Sequence, residues 1–366
     1  MTKINILSQG RFHMLDLARE LDHTGFDIKF YSFIPTSRCI KFGLQKKCIV
    51  SLFGIIAPFL ILRRIFPKLS WIHIKVQDFI MGIFMRKCDI YISLTGYVYA
   101  PRIAQKKGAI IIMERGSKHI LEQKKILEKN PHKKNEAIPN RNIKCNLKAY
   151  QFANFISVAS QHVKESFLLH QYPENRIFVN PYGVDLSMFK PLPNIPKKYD
   201  VIMVGGWGYE KGCDLIVEAI RKTNYSFIHV GSIKDVDFPQ EKNFTHIDPV
   251  DQSKLIEYYN QAKVFILPSR QDGFGMVLSQ ALACNLPIIG SNNCGAPDLK
   301  KMVELPEYIT IIKDYTADAI VTAIHTAIKN YEQLGERIYA GNAIENLTWE
   351  AYGKRYANFL HKIIKQ

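Results

Sequence analysis

The sequence lacks the features that mark secreted, zinc-binding and membrane-spanning proteins. Its seven cysteines are odd in number and include no C-x-x-C pair, which excludes a zinc framework or disulfide scaffold and favours a reducing compartment. No secretory signal is visible. The most apolar run, Ile49 to Leu62, contains Pro58 and is shorter than the ~20 residues of a spanning helix. We expect a cytoplasmic protein without a transmembrane segment.

Several ligand-binding motifs are also missing. The P-loop pattern G-x-x-x-x-G-K-[ST] and the dinucleotide fingerprint G-x-G-x-x-G are absent. No D-x-D motif stands at the end of a predicted strand, so we expect no metal dependence. We also expect no cofactor. No pair of carboxylates is arranged as in glycosidases.

The chain has 366 residues, 47% of them hydrophobic and 22% charged, which suggests two domains, or three, with a sizeable core. The net charge of +16 is unevenly distributed. Residues 1–190 hold 30 basic and 13 acidic side chains, whereas residues 191–366 hold 19 and 20. The basic half is therefore expected to meet an anionic partner, either nucleic acid or a phospholipid surface.

Short β-rich runs alternate with helical patterns, which predicts parallel β/α units. A proline-containing stretch at 189–198 is interpreted as an interdomain linker, and a last helix is predicted at Trp349–Lys365. The predicted strands are Lys3–Ser8, Asp27–Phe33, Asp89–Leu94, Ala109–Met113, Phe155–Val158, Arg176–Asn180, Asp200–Val204, Ser226–Val230, Val264–Leu267 and Pro287–Gly290.

Two segments depart from this rhythm. Lys41 to Lys75 is both apolar and basic, and it is either a core helix with solvated ends or an interfacial segment that dips into a bilayer. Lys124 to Lys148 is polar and lysine-rich, and a mobile loop is predicted there.

A glycine-rich turn follows the predicted strand at Asp200–Val204. Gly205 and Gly206 would let the backbone approach a ligand closely, and an amphipathic helix begins just after Lys211 and Gly212. The amides at a helix N-terminus together with the charge of Lys211 suit a diphosphate. Taken alone, such a turn is commonly structural.

A second loop follows the predicted strand at Val264–Leu267. Asp272 and the amides of Gly273, Phe274 and Gly275 would lie at the carboxyl end of this strand, where open α/β sheets bind ligands. They could hydrogen-bond sugar hydroxyls. Gln280, two helical turns further on, could reach a second group of the same ligand.

These motifs resemble the retaining glycosyltransferases of family 4 (group 1 type). Their V-G-R-x-x-x-x-K-G turn is VGGWGYEKG here, and their P-S-x-x-E-G-F-G loop is PSRQDGFG. The resemblance continues through NPYGVDLSMFKP and, at the start, QGRFHMLDLARELDHTGFDIKFYS. It implies the GT-B fold, with two Rossmann-like doubly wound domains facing a cleft. The domains would span residues 1–188 and 189–345, with a helix at 346–366 packing back on the first.

The resemblance also implies roles for individual residues. Lys211 would neutralise the donor diphosphate, Asp272 would contact the transferred sugar and Gln280 the ribose. Gly206 stands where such enzymes have an arginine, so one positive charge is missing. In the first domain His119 is the catalytic candidate beside Asp272 and Lys211, Arg115 would reach the phosphates, and Gly10 would let the first helix approach them. His13 is interpreted as structural.

The function implied is transfer of a sugar from a UDP- or GDP-linked donor to a lipid-linked or polysaccharide acceptor, as in O-antigen or capsule synthesis. The basic half would hold the enzyme on the inner face of the plasma membrane. The alternative is a catalytically silent GT-B module that binds a glycan or nucleotide sugar. Nucleic-acid binding ranks last, because no supporting motif is present.

Overall fold

The computed structural model describes residues 1–10, 12–132, 138–334 and 341–365. Two fully parallel sheets organise the chain. The strands of the first sheet are β1 Lys3–Ser8, β2 Asp27–Ser32, β3 Ile49–Ser51, β4 Ile90–Leu94, β5 Ile110–Arg115, β6 Phe155–Val158 and β7 Ile177–Val179. The strands of the second are β8 Tyr199–Val204, β9 Phe227–Val230, β10 Phe244–Ile247, β11 Ala262–Leu267, β12 Ile288–Ser291 and β13 Ile309–Ile312.

Helices connect the strands and cover the sheets. The helices of the first part are α1 Phe12–His23, α2 Thr36–Lys41, α3 Phe53–Ile65, α4 His73–Phe84, α5 Tyr99–Lys106, α6 Ile120–Glu128, α7 Asn140–Phe152 and α8 Gln161–Leu168. Those of the second part are α9 Cys213–Arg221, α10 Leu255–Asn260, α11 Met276–Ala283, α12 Ala296–Lys300, α13 Ala317–Leu334 and α14 Trp349–Ile364.

Both sheets are doubly wound around their first strand. The strand orders are β3-β2-β1-β4-β5-β6-β7 and β10-β9-β8-β11-β12-β13, so β1 and β8 each mark the point where the order reverses. Ile4 on β1 lies between Ile28 and Ile90, and all three side chains are buried. Apolar strands covered on both faces are typical of parallel sheets. The predicted pair of Rossmann-like sheets is confirmed.

All ten predicted strands are present, with ends shifted by at most two residues. The three strands that the sequence analysis missed are β3, β10 and β13, and each lies at an edge of its sheet. They have only three or four residues. Because an edge strand pairs on one side only, it needs no long apolar run.

The last helix, α14, returns to the first sheet. The Tyr356 hydroxyl donates to Glu114 on β5, and the Phe359 ring stacks on Phe178 of β7 at 4.1 Å. Gly353 packs so closely on Glu20 of α1 that a side chain at position 353 would collide with it. Helix α14 therefore contributes to the core of the first domain.

Of the two alternatives for Lys41 to Lys75, a core helix with solvated ends does not describe α3. Ile56 is buried on α3, but several neighbouring apolar side chains are largely exposed, with Ile61 and Ile65 both 64% accessible. The predicted loop at Lys124 to Lys148 is also wrong in part, since α6 and α7 extend into it; residues 133–137 lie outside the described ranges. In the described ranges, no helix combines the length and the apolar character needed to cross a membrane.

Candidate active site in the interdomain cleft

A cavity of about 400 Å³ lies between the two sheets, at the carboxyl ends of β1 and β8. The first domain contributes His13 and Asp16 from α1, and the second contributes Gly205, Met276 and Gln280. Ligands of doubly wound sheets bind where the strand order reverses, beyond the strands' carboxyl ends. Here the two reversal points face each other across one cavity.

The turn after β8 brings the backbone to the cavity. Gly205 has a φ of +126°, which a residue with a side chain rarely adopts. The buried His229 ring donates from Nε2 to the Gly205 carbonyl at 2.8 Å, and burial lowers the pKa of His229 to about 4. A neutral histidine therefore fixes the turn.

Lys211 and Asp272 form an ion pair at the same sheet edge. Lys211 closes the short turn before α9, Asp272 follows β11, and Nζ lies 2.5 Å from Oδ2. Burial disfavours the charge of Lys211, but the nearby carboxylates of Asp272 and Glu210 outweigh it and raise the lysine pKa. The structure thus brings together a cation and a carboxylate that lie 61 residues apart in the sequence.

The loop at 272–275 is held against the first domain. His162 donates from Nε2 to the Asp272 carbonyl at 2.7 Å, and the Ser160 hydroxyl donates to the Gly273 carbonyl. A side chain at Gly273 would collide with the backbone of Gly116. Glycine at this position therefore lets the two domains approach closely.

The two remaining predicted residues of this half have different surroundings. Gln280 lines the cavity, and its Oε1 accepts a hydrogen bond from the Tyr259 hydroxyl at 3.0 Å. Phe274 is 1% exposed and packs edge-on against Tyr182. Its side chain belongs to the core, and Gly275 caps α11 with a φ of +80°.

His119 does not reach the cavity, so its assignment as a catalytic residue is corrected. Its ring caps α6 by accepting from the Leu121 amide, and it stacks on His170 with ring centres 4.1 Å apart. Tyr150 and Phe167 enclose it further. Burial, together with the charges of His170 and Arg115, lowers its pKa to about 3. A neutral, enclosed ring of this kind is a structural element.

Arg115 is likewise turned into its own domain, and its assignment to the phosphates is corrected. The guanidinium donates to the Lys118 carbonyl, to Asn146 and to Gln123 at 2.8 to 3.1 Å. These bonds fold the segment after β5. They leave Arg115 8% exposed.

Gly10 lies between β1 and α1, where the Ser8 hydroxyl donates to its carbonyl at 2.8 Å. It therefore stands at the entrance of the helix that lines the cavity, while its neighbour Arg11 falls outside the described ranges.

His13, which the sequence suggests is structural, lies at the site itself. It lines the cavity, its Nε2 lies 3.1 Å from a Glu114 carboxylate oxygen, and its ring packs on Tyr182 at 4.4 Å. Glu114 in turn accepts from Tyr356. The signal was the spacing of His13 and Asp16, one turn apart at the start of a helix that opens from a glycine turn.

Comparison with known proteins agrees with this architecture. Residues 187–343 match the family model of "Glycosyl transferases group 1". A probable sucrose-phosphate synthase of Thermosipho melanesiensis is 26% identical over 242 residues, which are 58% of this chain and 56% of that protein. A GDP-mannose-dependent mannosyltransferase of Mycolicibacterium smegmatis, which acts on a phosphatidylinositol monomannoside, is 23% identical over 57% of this chain and 62% of its own length.

The solved structure of Anabaena HepE, in complex with UDP and glucose, superposes with a TM-score of 0.68. It covers 99% of this chain and 100% of HepE at 14% identity. The fold is therefore GT-B. The chain spans roughly half the length of the curated relatives named above. The structural neighbour shows the fold, and the family model matches residues 187–343, less than half of the chain.

Proposed function

We propose that the protein transfers a sugar from a nucleotide-sugar donor bound in the interdomain cleft. The observation that carries this proposal is the Lys211–Asp272 pair, which lies at the sheet edge where Gly205 and Gln280 line the cavity. A cation and exposed backbone suit a diphosphate, and a carboxylate suits sugar hydroxyls. The family match over residues 187–343 supports the same reaction class.

The chemistry follows from these groups. The bond between the anomeric carbon and the β-phosphate oxygen breaks, and negative charge develops on that phosphate. Fixed donors such as the Lys211 ammonium stabilise this charge most strongly in the transition state. The acceptor oxygen forms the new bond, and its proton passes to the departing phosphate. We propose attack on the face that the leaving group vacates, with retention of configuration, as in family 4.

We propose that the reaction needs no metal ion, because lysine and backbone amides would balance the diphosphate charge. Treatment with EDTA is expected to leave the rate unchanged, and NMR of the product is expected to show the donor's anomeric configuration. A rate abolished by EDTA and restored by Mg²⁺, or an inverted product, would contradict these parts of the proposal.

Thermal unfolding in the presence of UDP, GDP, UDP-glucose and GDP-mannose identifies the donor. A ligand at 100 times its Kd stabilises the folded state by about 2.7 kcal/mol. The expected result is a clear rise in Tm with one nucleoside diphosphate and its sugar. Turnover is then measured with that donor. Absence of any rise with all four compounds would contradict a nucleotide-sugar site.

For the acceptor, we propose a lipid-linked or polysaccharide substrate at a membrane surface. Helices α3 and α4 are joined by the stacked rings of Phe59 and His73. Their exposed apolar side chains, each at least 45% accessible, are Ile55, Ile61, Leu62, Ile65, Phe66, Phe79, Ile83 and Phe84. Basic residues of the same segment are Arg63, Arg64, Lys68 and Lys75. Apolar side chains flanked by cations suit an anionic leaflet.

Binding to vesicles that contain anionic lipid tests this surface. Each cation near such a leaflet contributes about 1 kcal/mol, so replacing Arg63, Arg64 and Lys68 by alanine is expected to release most of the bound protein. The matched control removes three exposed lysines of the second domain, Lys242, Lys301 and Lys313. Equal vesicle binding by both triple variants would refute the membrane proposal.

A further inference from the structure

The sequence has glycine at position 206, and the structure shows what fills the space of the absent side chain. A Cβ built on Gly206 would collide with the Lys234 Cε and would lie 2.8 Å from Lys234 Nζ. Gly206 is not among the residues with a positive φ, so the backbone itself does not require glycine there. The close approach of Lys234 does require it.

The backbone holds Lys234 at this position. Its amide donates to the Trp207 carbonyl at 2.9 Å, and the Trp207 amide donates to the Ser232 carbonyl at 2.8 Å. Trp207 is fully buried beneath the turn. The segment after β9 is thereby fastened to the turn after β8, and the lysine side chain lies over Gly206.

Two other cations of the second domain at this edge already have carboxylate partners. Lys211 is paired with Asp272, while Arg270 is paired with Asp214 through two bonds of 2.6 and 2.7 Å and lies over the Tyr209 ring. Lys234 is exposed, and in the described residues it forms no ion pair. Its ammonium group is therefore available to bind an anion beside the turn.

We propose that Lys234 binds the diphosphate of the donor and supplies the positive charge that position 206 lacks. The inference rests on the proposed function. The cation reaches the site from the loop after the neighbouring strand, so Gly206 and Lys234 act as a matched pair. A larger residue at 206 and the lysine ammonium cannot occupy the same space.

Isothermal titration calorimetry tests this pairing with UDP and GDP, and with the uncharged nucleosides uridine and guanosine. Lys234→Ala is expected to weaken nucleoside diphosphate binding about ten-fold, as expected for the loss of one charge-assisted contact, and to leave nucleoside binding unchanged. Lys242→Ala is the charge-matched control. Adding Gly206→Arg to Lys234→Ala returns a cation to the freed space and is expected to recover most of the affinity.

The outcomes separate this inference from the proposed function. If the wild-type protein binds neither nucleoside diphosphate, the proposed function fails and the inference fails with it. If the wild-type protein binds one of them and Lys234→Ala binds it equally well, only the inference is overturned. Equal losses for the diphosphate and its nucleoside would show that Lys234 supports the shape of the turn, which also overturns it.

Discussion

Polar residues at the facing sheet edges of the two domains have different partners. In the second domain Gly205 and Gln280 line the cavity, and Lys211 and Asp272 pair beside it. In the first domain Arg115, at the carboxyl end of β5, is enclosed by its own domain. A polar residue at the carboxyl edge of a parallel sheet can therefore serve either a ligand or the packing of a loop. The hydrogen-bond partners decide between them.

The largest expected effect concerns the second domain. Replacing both Lys211 and Asp272 by alanine removes the ion pair without leaving an unpaired buried charge. We expect turnover to fall roughly 10²–10³-fold, as for loss of a donor that stabilises transition-state charge. Steady-state kinetics with the donor found by thermal unfolding gives the measurement.

The matched control uses the same two strands at their opposite ends. Lys263 at the start of β11 pairs with Asp200 at the start of β8, with Nζ and Oδ1 2.8 Å apart. Alanine at both positions removes an equivalent pair far from the carboxyl edge. Similar turnover losses in the two double variants would show that removal of a lysine–aspartate pair acts through stability alone.

The next effect concerns the first domain, where Arg115→Ala is expected to act on stability. The variant leaves the Lys118 carbonyl, Asn146 and Gln123 without their charged donor. We expect a loss of about 3 kcal/mol in the free energy of unfolding, measured with urea. Affinity for the nucleoside diphosphate should change far less. Weaker diphosphate binding with an unchanged free energy of unfolding would support the sequence-based assignment of Arg115 as a phosphate contact.

The smallest effect on turnover is expected for His119→Asn, because asparagine also caps helices. The folded-state pKa of His119, about 3, lies below its ordinary value of 6.5. Between these two pKa values the unfolded chain binds more protons than the folded protein. The free energy of unfolding of the wild-type protein therefore falls as the pH is lowered from 6.5 to about 3, by up to about 1.4 kcal/mol per pH unit.

The asparagine variant lacks this titrating group. The free energy of unfolding of the wild-type protein, measured with urea, is therefore expected to fall relative to that of the variant between pH 7 and pH 4. A pH-independent difference would refute the neutral, buried state of His119. A large loss of turnover at neutral pH would instead support the catalytic role that its contacts do not indicate.

The sequence predicts features that depend on neighbouring residues, but it does not predict contacts between residues that are distant along the chain. Central strands such as β1 and β11 are continuous apolar runs, so their position and parallel arrangement were predictable. The turn at Gly205 was predictable because glycines follow such a run. The direction of the His119 ring depends on Tyr150, Phe167 and His170, which lie 31 to 51 positions further along. Likewise, only sheet pairing places Lys234 over Gly206.

Helix α14 has a consequence for how the chain is made. Its residues complete the core around Glu114 and Phe178, yet a ribosome adds them only after the entire second sheet. The domain that is translated first is therefore finished last. Until then the face of α1 around Glu20, on which Gly353 packs, stays uncovered, so we expect the two domains to fail as separate fragments cut at residue 189.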